Sequence, residues 1–332
     1  MSEAILVTGG AGYIGSHVVR QLGERGEPVV VLDDLSTGRA DAVLHGTLEV
    51  GDVADTARVS DLVRRYDVTE VLHFAARTVV PESVSDPLRY YHHNTVATHR
   101  LLGCCAEAGV ERFLLSSTAA IYGIPERIPV DESAPMAPIN PYGRTKAASE
   151  WMVRDLADTG AMDYGILRYF NVAGCDPDGR IGQSTPDAHL LIKVASQVAL
   201  GLRDYLAVFG TDFPTRDGTG VRDYIHVEDL ADAHLRLLDH LRGGGGSLTL
   251  NAGYGHGYSV REVIAALEEV WGGRLPVRES DRRPGDPPAL IAGSDRIREV
   301  LGWQPRFDNL ETIVRTALDW ERYLCEAPRT LA

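Results

Sequence analysis

A glycine-rich turn joining an apolar run to an amphipathic helix pattern constrains this chain more than any other feature. Ala4–Thr8 is a short apolar stretch, as expected of a strand buried on both faces of a parallel sheet. Tyr13–Glu24 then carries Ile14, Val18 and Leu22 at helical spacing. Between them runs Thr8-Gly9-Gly10-Ala11-Gly12-Tyr13-Ile14-Gly15-Ser16. Gly9 allows the tight turn from strand to helix, Gly12 lets the backbone approach a pyrophosphate, and Gly15 lets the helix pack closely on the strand. The helix start then offers free N–H groups and a positive dipole end to the anion. An ordinary glycine-rich turn has the same letters. The strand before it and the helix behind it are what point to a dinucleotide.

The same rhythm continues along the chain. Pro28–Leu32, Thr47–Val50, Glu70–His73, Arg112–Ser116 and Tyr164–Arg168 read as strands, and Asp55–Arg65, Pro87–Glu107 and Tyr142–Ala157 as helices. Strands alternating with helices predict βαβ units, a parallel sheet and right-handed crossovers, hence an α/β, doubly wound (Rossmann) fold. Past residue 175 proline and glycine thicken at 176–186 and 210–220, and helices are expected at His189–Leu200, Val227–Leu241 and Val260–Val270. The expected division is 1–175 for the dinucleotide-binding domain and 176–332 for a smaller C-terminal α/β substrate lobe, some of whose elements return to the first domain. Gly243–Gly246 reads as a surface loop, because it separates a helix from the apolar Ser247–Leu250.

Composition narrows the partners. The 332 residues are 44% apolar and 24% charged, with a formal net charge of −14. That acidic balance argues against nucleic acid, whose phosphates need a basic surface. Cys104, Cys105, Cys175 and Cys325 show no metal or redox spacing, so reduced thiols and no metal are expected. Met1-Ser2-Glu3 leads straight into a strand without a leader pattern, and no apolar run approaches the ~20 residues of a bilayer span. A cytoplasmic protein without membrane contact is the expectation.

Two further groups carry chemistry. Asp33 ends the second strand, where a carboxylate receives the adenosine ribose hydroxyls. With Asp34 beside it a 2′-phosphate would be repelled, so the pattern favours NAD over NADP. A turn-capping role explains Asp33 equally well. Asp52, in Val50-Gly51-Asp52-Val53, is placed to meet the adenine. Tyr142 and Lys146, four apart, share a helix face. An ammonium and a positive nicotinamide favour the phenolate, bringing a tyrosine toward the range of a general base. Ser116-Ser117-Thr118 ends the preceding strand, where active-site groups gather in such sheets, and Thr118 can relay a proton.

TGGAGYIGS, LDDLSTG, HFAA, SSTAAIYG, PYGRTK, LRYFN, GVRDYIHVEDLA and RRPGD follow one another in this order. Together they resemble the extended short-chain dehydrogenase/reductase family, and within it the UDP-hexose 4-epimerases, from Ala4 to about Trp320. The resemblance implies that Tyr142, assisted by Thr118 and Lys146, takes the proton of the sugar 4-hydroxyl. The hydride passes to NAD, the 4-keto sugar turns over, and the returning hydride inverts C4, interconverting UDP-galactose and UDP-glucose. It implies cofactor contacts at Gly9, Gly12, Tyr13, Ile14, Gly15, Asp33, Asp34, Asp52, Val53, Phe74, Ala75, Ala76, Arg77, Asn94, Ser116, Tyr142, Lys146 and Phe170. Substrate contacts are implied at Thr118, Tyr142, Asn171, Arg222, Tyr224, Arg283, Asp286 and Leu290. The arginines would clamp the diphosphate, although a surface salt bridge is the plainer reading of each alone. A homodimer through the long helices Pro87–Glu107 and Tyr142–Ala157 is also implied.

The chain departs from the pattern in places. Arg77 stands where lysine is common. His189 and Leu190 compete for one nucleotide-facing position. Leu290 stands where a residue of variable size flanks the sugar. A large aromatic there is expected to exclude N-acetylated sugars and Leu is intermediate, so N-acetylhexosamine use stays open, with weak turnover expected for UDP-N-acetylglucosamine. An epimerase for another UDP-sugar, such as a uronate or pentose, is a further alternative. Dehydratases of the family are expected to carry Asp-Glu after the strand threonine, whereas Ala119-Ala120 here cannot transfer protons. A non-catalytic NAD sensor would have no need of Tyr142, Lys146 and Thr118.

Overall fold

The computed structural model describes residues 3–185, 189–283 and 286–326. Pro186, and Pro284 and Gly285 of the RRPGD motif, lie outside them. Strands β1 (Ala4–Thr8), β2 (Val29–Asp33), β3 (Thr47–Val50), β4 (Val68–His73), β5 (Arg112–Thr118) and β6 (Asp163–Tyr169) alternate with helices. These are α1 (Tyr13–Glu24), α2 (Thr56–Arg65), α3 (Val80–Ser85), α4 (Pro87–Tyr90), α5 (Ala97–Ala108) and α6 (Pro141–Asp158). A second series follows: β7 (Asn171–Ala173), α7 (Leu191–Ala199), β8 (Leu206–Phe209), β9 (Val221–Arg222), β10 (Tyr224–His226), α8 (Val227–Arg242) and β11 (Leu248–Ala252). It closes with β12 (Tyr258–Ser259), α9 (Val260–Trp271), β13 (Val277–Ser280), β14 (Ala289–Leu290), α10 (Asp295–Leu301) and α11 (Leu310–Glu326).

Seven strands form one sheet in the order β11-β6-β5-β4-β1-β2-β3, and every pairing in it is parallel. Side chains alternate across it, as the two-residue period of a strand demands. Ile5 and Val7 join Val18 and Leu22 of α1 and Leu237 of α8 on one face. Leu6 joins Leu62 of α2 and Leu101 of α5 on the other. Each such fully buried aliphatic side chain contributes roughly 1.5–3 kcal/mol. The seventh strand comes from far along the chain, with Leu250 of β11 opposite Leu167 of β6. The strand order reverses between β1 and β4, and the crevice beyond their carboxyl ends is where such sheets bind ligands. Past β7 the chain forms short pairings: β10 with β7, β9 between β12 and β14, and β13 with β8.

One expected helix is three pieces. Pro87–Glu107 divides into α4, a π turn over Tyr91–Val96, and α5. The wider turn carries Asn94 into the interior, where it is 1% exposed. Such turns often mark functional positions.

Candidate active site

The glycine turn is built by close backbone approach. Gly9 has φ +71°, and a Cβ there would stand 2.5 Å from the nitrogen of Ala75, in the loop after β4. At Gly15 a Cβ would stand 2.3 Å from the carbonyl oxygen of Gly9. Helix α1 starts at Gly12 with no side-chain cap and no acidic residue in its first turn, so its N–H groups and dipole stay available to an anion. Tyr13 donates its hydroxyl to the carbonyl of Gly174 at 2.6 Å, joining this turn to the loop after β7. Ile14 is half-buried beside it.

Asp33 is 7% exposed, and its carboxylate accepts from the Ala11 and Leu35 N–H groups at 3.0 and 2.9 Å. Burial raises its pKa against those two bonds. The side chain thus fastens the glycine turn to the end of β2, so the turn-capping reading of Asp33 is realised in the structure. Asp34 and Asp52 are exposed and accept from the N–H groups of Ser36 and Ala54. Val53 is buried behind Asp52. Across the crevice, Phe74, Ala75, Ala76 and Arg77 leave β4 half-buried. Asn94 turns its amide to the chain itself: Oδ1 accepts from the Arg77 N–H, and Nδ2 donates to the Arg77 carbonyl and to Thr145 Oγ1. Beneath, His73 links Thr8 at 2.7 Å to Thr98 at 2.8 Å, and burial lowers its pKa to about 3, keeping the ring neutral.

Tyr142 and Lys146 stand on the first turns of α6, which Asn140 caps by accepting from the Gly143 N–H. Gly143 fits where a Cβ would stand 2.6 Å from the Ala120 carbonyl oxygen, so α6 presses against the turn after Thr118. Tyr142 is 7% exposed, Lys146 4% and Thr118 8%. Lys146 donates from Nζ to the Ser116 carbonyl at 2.9 Å, and Ser116 shares its hydroxyl with Tyr169. Burial raises the Tyr142 phenol to about 12, with the Thr118 hydroxyl pulling the other way. Burial also lowers the Lys146 ammonium to about 8, with Glu150 opposing. On sequence grounds two positive charges draw the phenol down, the Lys146 ammonium and a bound nicotinamide. In the structure desolvation dominates both groups, because both lie in the interior.

The remaining residues sit where the short strands meet. Asn171 of β7 lies opposite Tyr224 of β10, and Phe170 packs with Tyr122, Ala292 and Leu290. Arg222 and Leu290 are register partners in β9 and β14. Arg222 lies 3.7 Å from the Asp286 carboxylate. Arg283 rests its guanidinium 3.8 Å from the centre of the Phe209 ring, and burial lowers its pKa against the pull of Asp286. Leu190, with Asn171, Tyr224, Tyr13 and Lys193, lines a cavity between the glycine turn and α7; both Leu190 and His189 are exposed.

Sequence reasoning missed three groups. Tyr169 stands beside Tyr142 and Ser116. Glu150, fully buried, accepts from Arg168 at 2.7 Å and from Ser117 at 2.5 Å. Asp223, also fully buried, ties three segments together. Glu150 stands four residues after Lys146, and the other two lay inside motifs already singled out.

The chain matches the NAD dependent epimerase/dehydratase family over residues 5–253. It is 56% identical over 324 residues to the UDP-glucose 4-epimerase of Azospirillum brasilense, covering 97% of this chain and 93% of that one. The crystal structure of UDP-glucose 4-epimerase from Brucella ovis in complex with NAD superposes with a TM-score of 0.93 at 43% identity, covering 96% and 98% of the two chains. The UDP-Glc/GlcNAc 4-epimerase of Campylobacter jejuni superposes with a TM-score of 0.85 at 45% identity, covering 97% and 100%.

Proposed function

The chain belongs to the NAD dependent epimerase/dehydratase family, and from that premise we propose that it interconverts UDP-galactose and UDP-glucose by inverting C4, with NAD bound throughout. The observation that carries this reading is the buried cluster of Tyr142, Lys146, Thr118 and Ser116 at the carboxyl end of the sheet, one crevice away from an uncapped helix start. The glycine turn fits a dinucleotide: Cβ atoms at Gly9 and Gly15 would collide with backbone, and the first turn of α1 holds N–H groups toward an anion. Gly9, Gly12, Tyr13, Ile14 and Gly15 would hold the pyrophosphate. Asp33 and Asp34 would face the adenosine ribose, and Asp52 and Val53 the adenine. Phe74–Arg77, Asn94, Ser116 and Phe170 complete that side. When bound, NAD supplies a hydride acceptor that returns the hydride, and a positive ring that favours the Tyr142 phenolate.

The side chains do the rest. Tyr142 removes the proton of the sugar 4-hydroxyl and later restores it, with Thr118 hydrogen-bonding the same oxygen. Lys146 lends positive charge beside the phenol and holds the end of β5. Ala119 and Ala120 follow Thr118, so no acid stands there to drive elimination. Arg222 and Arg283 grip the diphosphate, Asp286 faces the uridine ribose, and Asn171 and Tyr224 close the same wall. A remote anionic handle lets binding energy coexist with a sugar that turns over. Leu290, packed with Phe170, is intermediate in size on the sugar wall, and UDP-N-acetylglucosamine is expected to turn over weakly. Rates equal to those with UDP-galactose would contradict this.

The functional division is residues 1–175 for the cofactor and 176–332 for the sugar nucleotide, with α8 and β11 given back to the first sheet. Val84, Leu88 and Trp151 are 64%, 79% and 53% exposed on α3, α4 and α6, apolar surface suited to a homodimer. Three buried free thiols suit a reducing, cytoplasmic setting, and among the described residues no helix is long and apolar enough to cross a membrane. The direct test is to incubate purified protein with UDP-galactose and no added cofactor. Formation of UDP-glucose supports the reading; its absence from protein shown to retain NAD contradicts it.

A further inference from the structure

Asp223 lies between β9 and β10, and almost everything around it is backbone. Its carboxylate accepts from the Tyr254 N–H at 3.0 Å through Oδ1. Oδ2 accepts from the Gly255 N–H at 3.0 Å and the Ala292 N–H at 3.3 Å. Its own N–H donates to the Leu290 carbonyl at 3.1 Å, and its carbonyl accepts from the Asn171 N–H at 3.0 Å. The approach is close on every side, since a Cβ at Gly253 would stand 2.7 Å from Oδ2. Asn171, Arg222 and Leu290 come from three separated stretches of chain, and the short strands that carry them offer few ladder bonds of their own. A fully buried carboxylate is costly unless its acceptors are filled, and here all of its partners belong to that wall or to the loop behind it.

We infer that Asp223 is a positioning residue for the sugar nucleotide, holding the strands of Asn171, Arg222 and Leu290 in one register through five hydrogen bonds from a single buried residue. Its hydrogen-bond partners are backbone groups of the chain itself. Its loss therefore acts on binding of the UDP-sugar before it acts on the chemical step. This rests on the UDP-sugar reading above.

The carboxylate is also poised to report on itself. Burial raises it to about 6 against its three backbone bonds. Protonation below that pH turns one acceptor oxygen into a donor facing an N–H. The titratable groups that interact with it are His256 in the loop after β11 and Tyr258 on β12, and Arg222 and Tyr224 flank it in the chain. His256 is exposed and paired with Asp308 at 2.7 Å. No charged side chain of β14 faces it.

The experiment measures calorimetric Kd for UDP-glucose and kcat for the NAD-loaded enzyme, its Asp223→Asn variant and a Glu70→Gln control. Glu70 is another buried carboxylate, paired with Arg242 and Arg112 on a strand away from this wall. Asp223→Asn is expected to weaken UDP-glucose binding about tenfold or more, the size of a lost bond to a charged group, with kcat and bound NAD nearly unchanged. Glu70→Gln should lose thermal stability with Kd unchanged. The wild-type Kd should rise as pH falls through about 6. Equal Kd values in both variants would overturn the inference. If Asp223→Asn does not fold, a wild-type Kd that stays flat from neutral pH to below that value would overturn it. Binding without epimerisation would contradict the proposed reaction and leave the role of Asp223 to be decided by the same Kd values.

Discussion

At the carboxyl ends of β1 and β4 the chain is held by backbone meeting backbone: Gly9 against Ala75, and Gly15 against the Gly9 carbonyl. Past β7 it is held by buried polar side chains reaching across short strands, with Asp223 on Tyr254, Gly255 and Ala292, and Asp229 on Tyr254, Arg306 and Phe307. The first region needs glycine because another atom would not fit. The second needs charge where an apolar residue would leave N–H groups unpaired. Tyr142 and Lys146 lie on the seam, on a helix clamped by a third device, the Glu150–Arg168 pair. A cradle made by local sequence therefore sits beside a wall assembled from distant pieces, and each should fail in its own way.

The seam gives the largest effect. Tyr142→Phe is expected to lower kcat on the order of 10³-fold, within the range for losing a general acid–base group, while NAD and UDP-sugar binding persist. A variant with full activity would remove the catalytic role. Glu150→Gln comes next. It leaves Arg168, 2% exposed, with a neutral partner, and breaking such a buried pair costs about 3–5 kcal/mol. A fall in melting temperature is expected in thermal unfolding. A change within error would show that α6 is held by its apolar contacts alone.

Gly15→Ala sharpens the comparison from the cradle side. Its methyl group would meet the Gly9 carbonyl at 2.3 Å, and overpacking of this kind costs about 1–3 kcal/mol. NAD retained through gel filtration should fall, and UDP-sugar affinity should not. Equal losses of both ligands would mean that the two regions are not independent. The smallest effect is in pH dependence. Burial lowers Lys146 to about 8, so kcat/KM should decline as pH rises through that value and the ammonium is lost. For stability the sign is opposite. The folded lysine binds fewer protons than the unfolded one from about 8 up to its ordinary 10.5, so stability rises with pH across that window. A pH profile unchanged in Lys146→Met would separate Lys146 from the activity decline.

The same contrast explains what could be read from the letters. Ala4–Thr8, Tyr13–Glu24 and the glycines between them were legible because strand period, helix period and turn chemistry all act within a few residues. The parallel, doubly wound character of the sheet followed from alternation, whereas the return of β11 to its edge did not. The π turn was not legible. Tyr91–Val96 carries no proline or glycine to mark an irregular turn, and the widened turn is where Asn94 reaches Arg77 and Thr145. The raised Tyr142 phenol was missed for a related reason: sequence shows the lysine four residues away but not the burial of both groups. Leu290 and Arg222 carried their resemblance in the letters, but their pairing depends on Asp223, whose partners lie up to 69 residues away.

The central claim is an oxidation at C4 that is reversed within one turnover on the same enzyme-bound NAD. The measurement that tests it most directly converts UDP-galactose deuterated at C4 in ordinary water and reads the UDP-glucose product by mass and NMR. The account predicts that the deuterium remains at C4 of the inverted sugar, with no net NADH formed. Deuterium lost to solvent, or NADH accumulating in proportion to product, would contradict it.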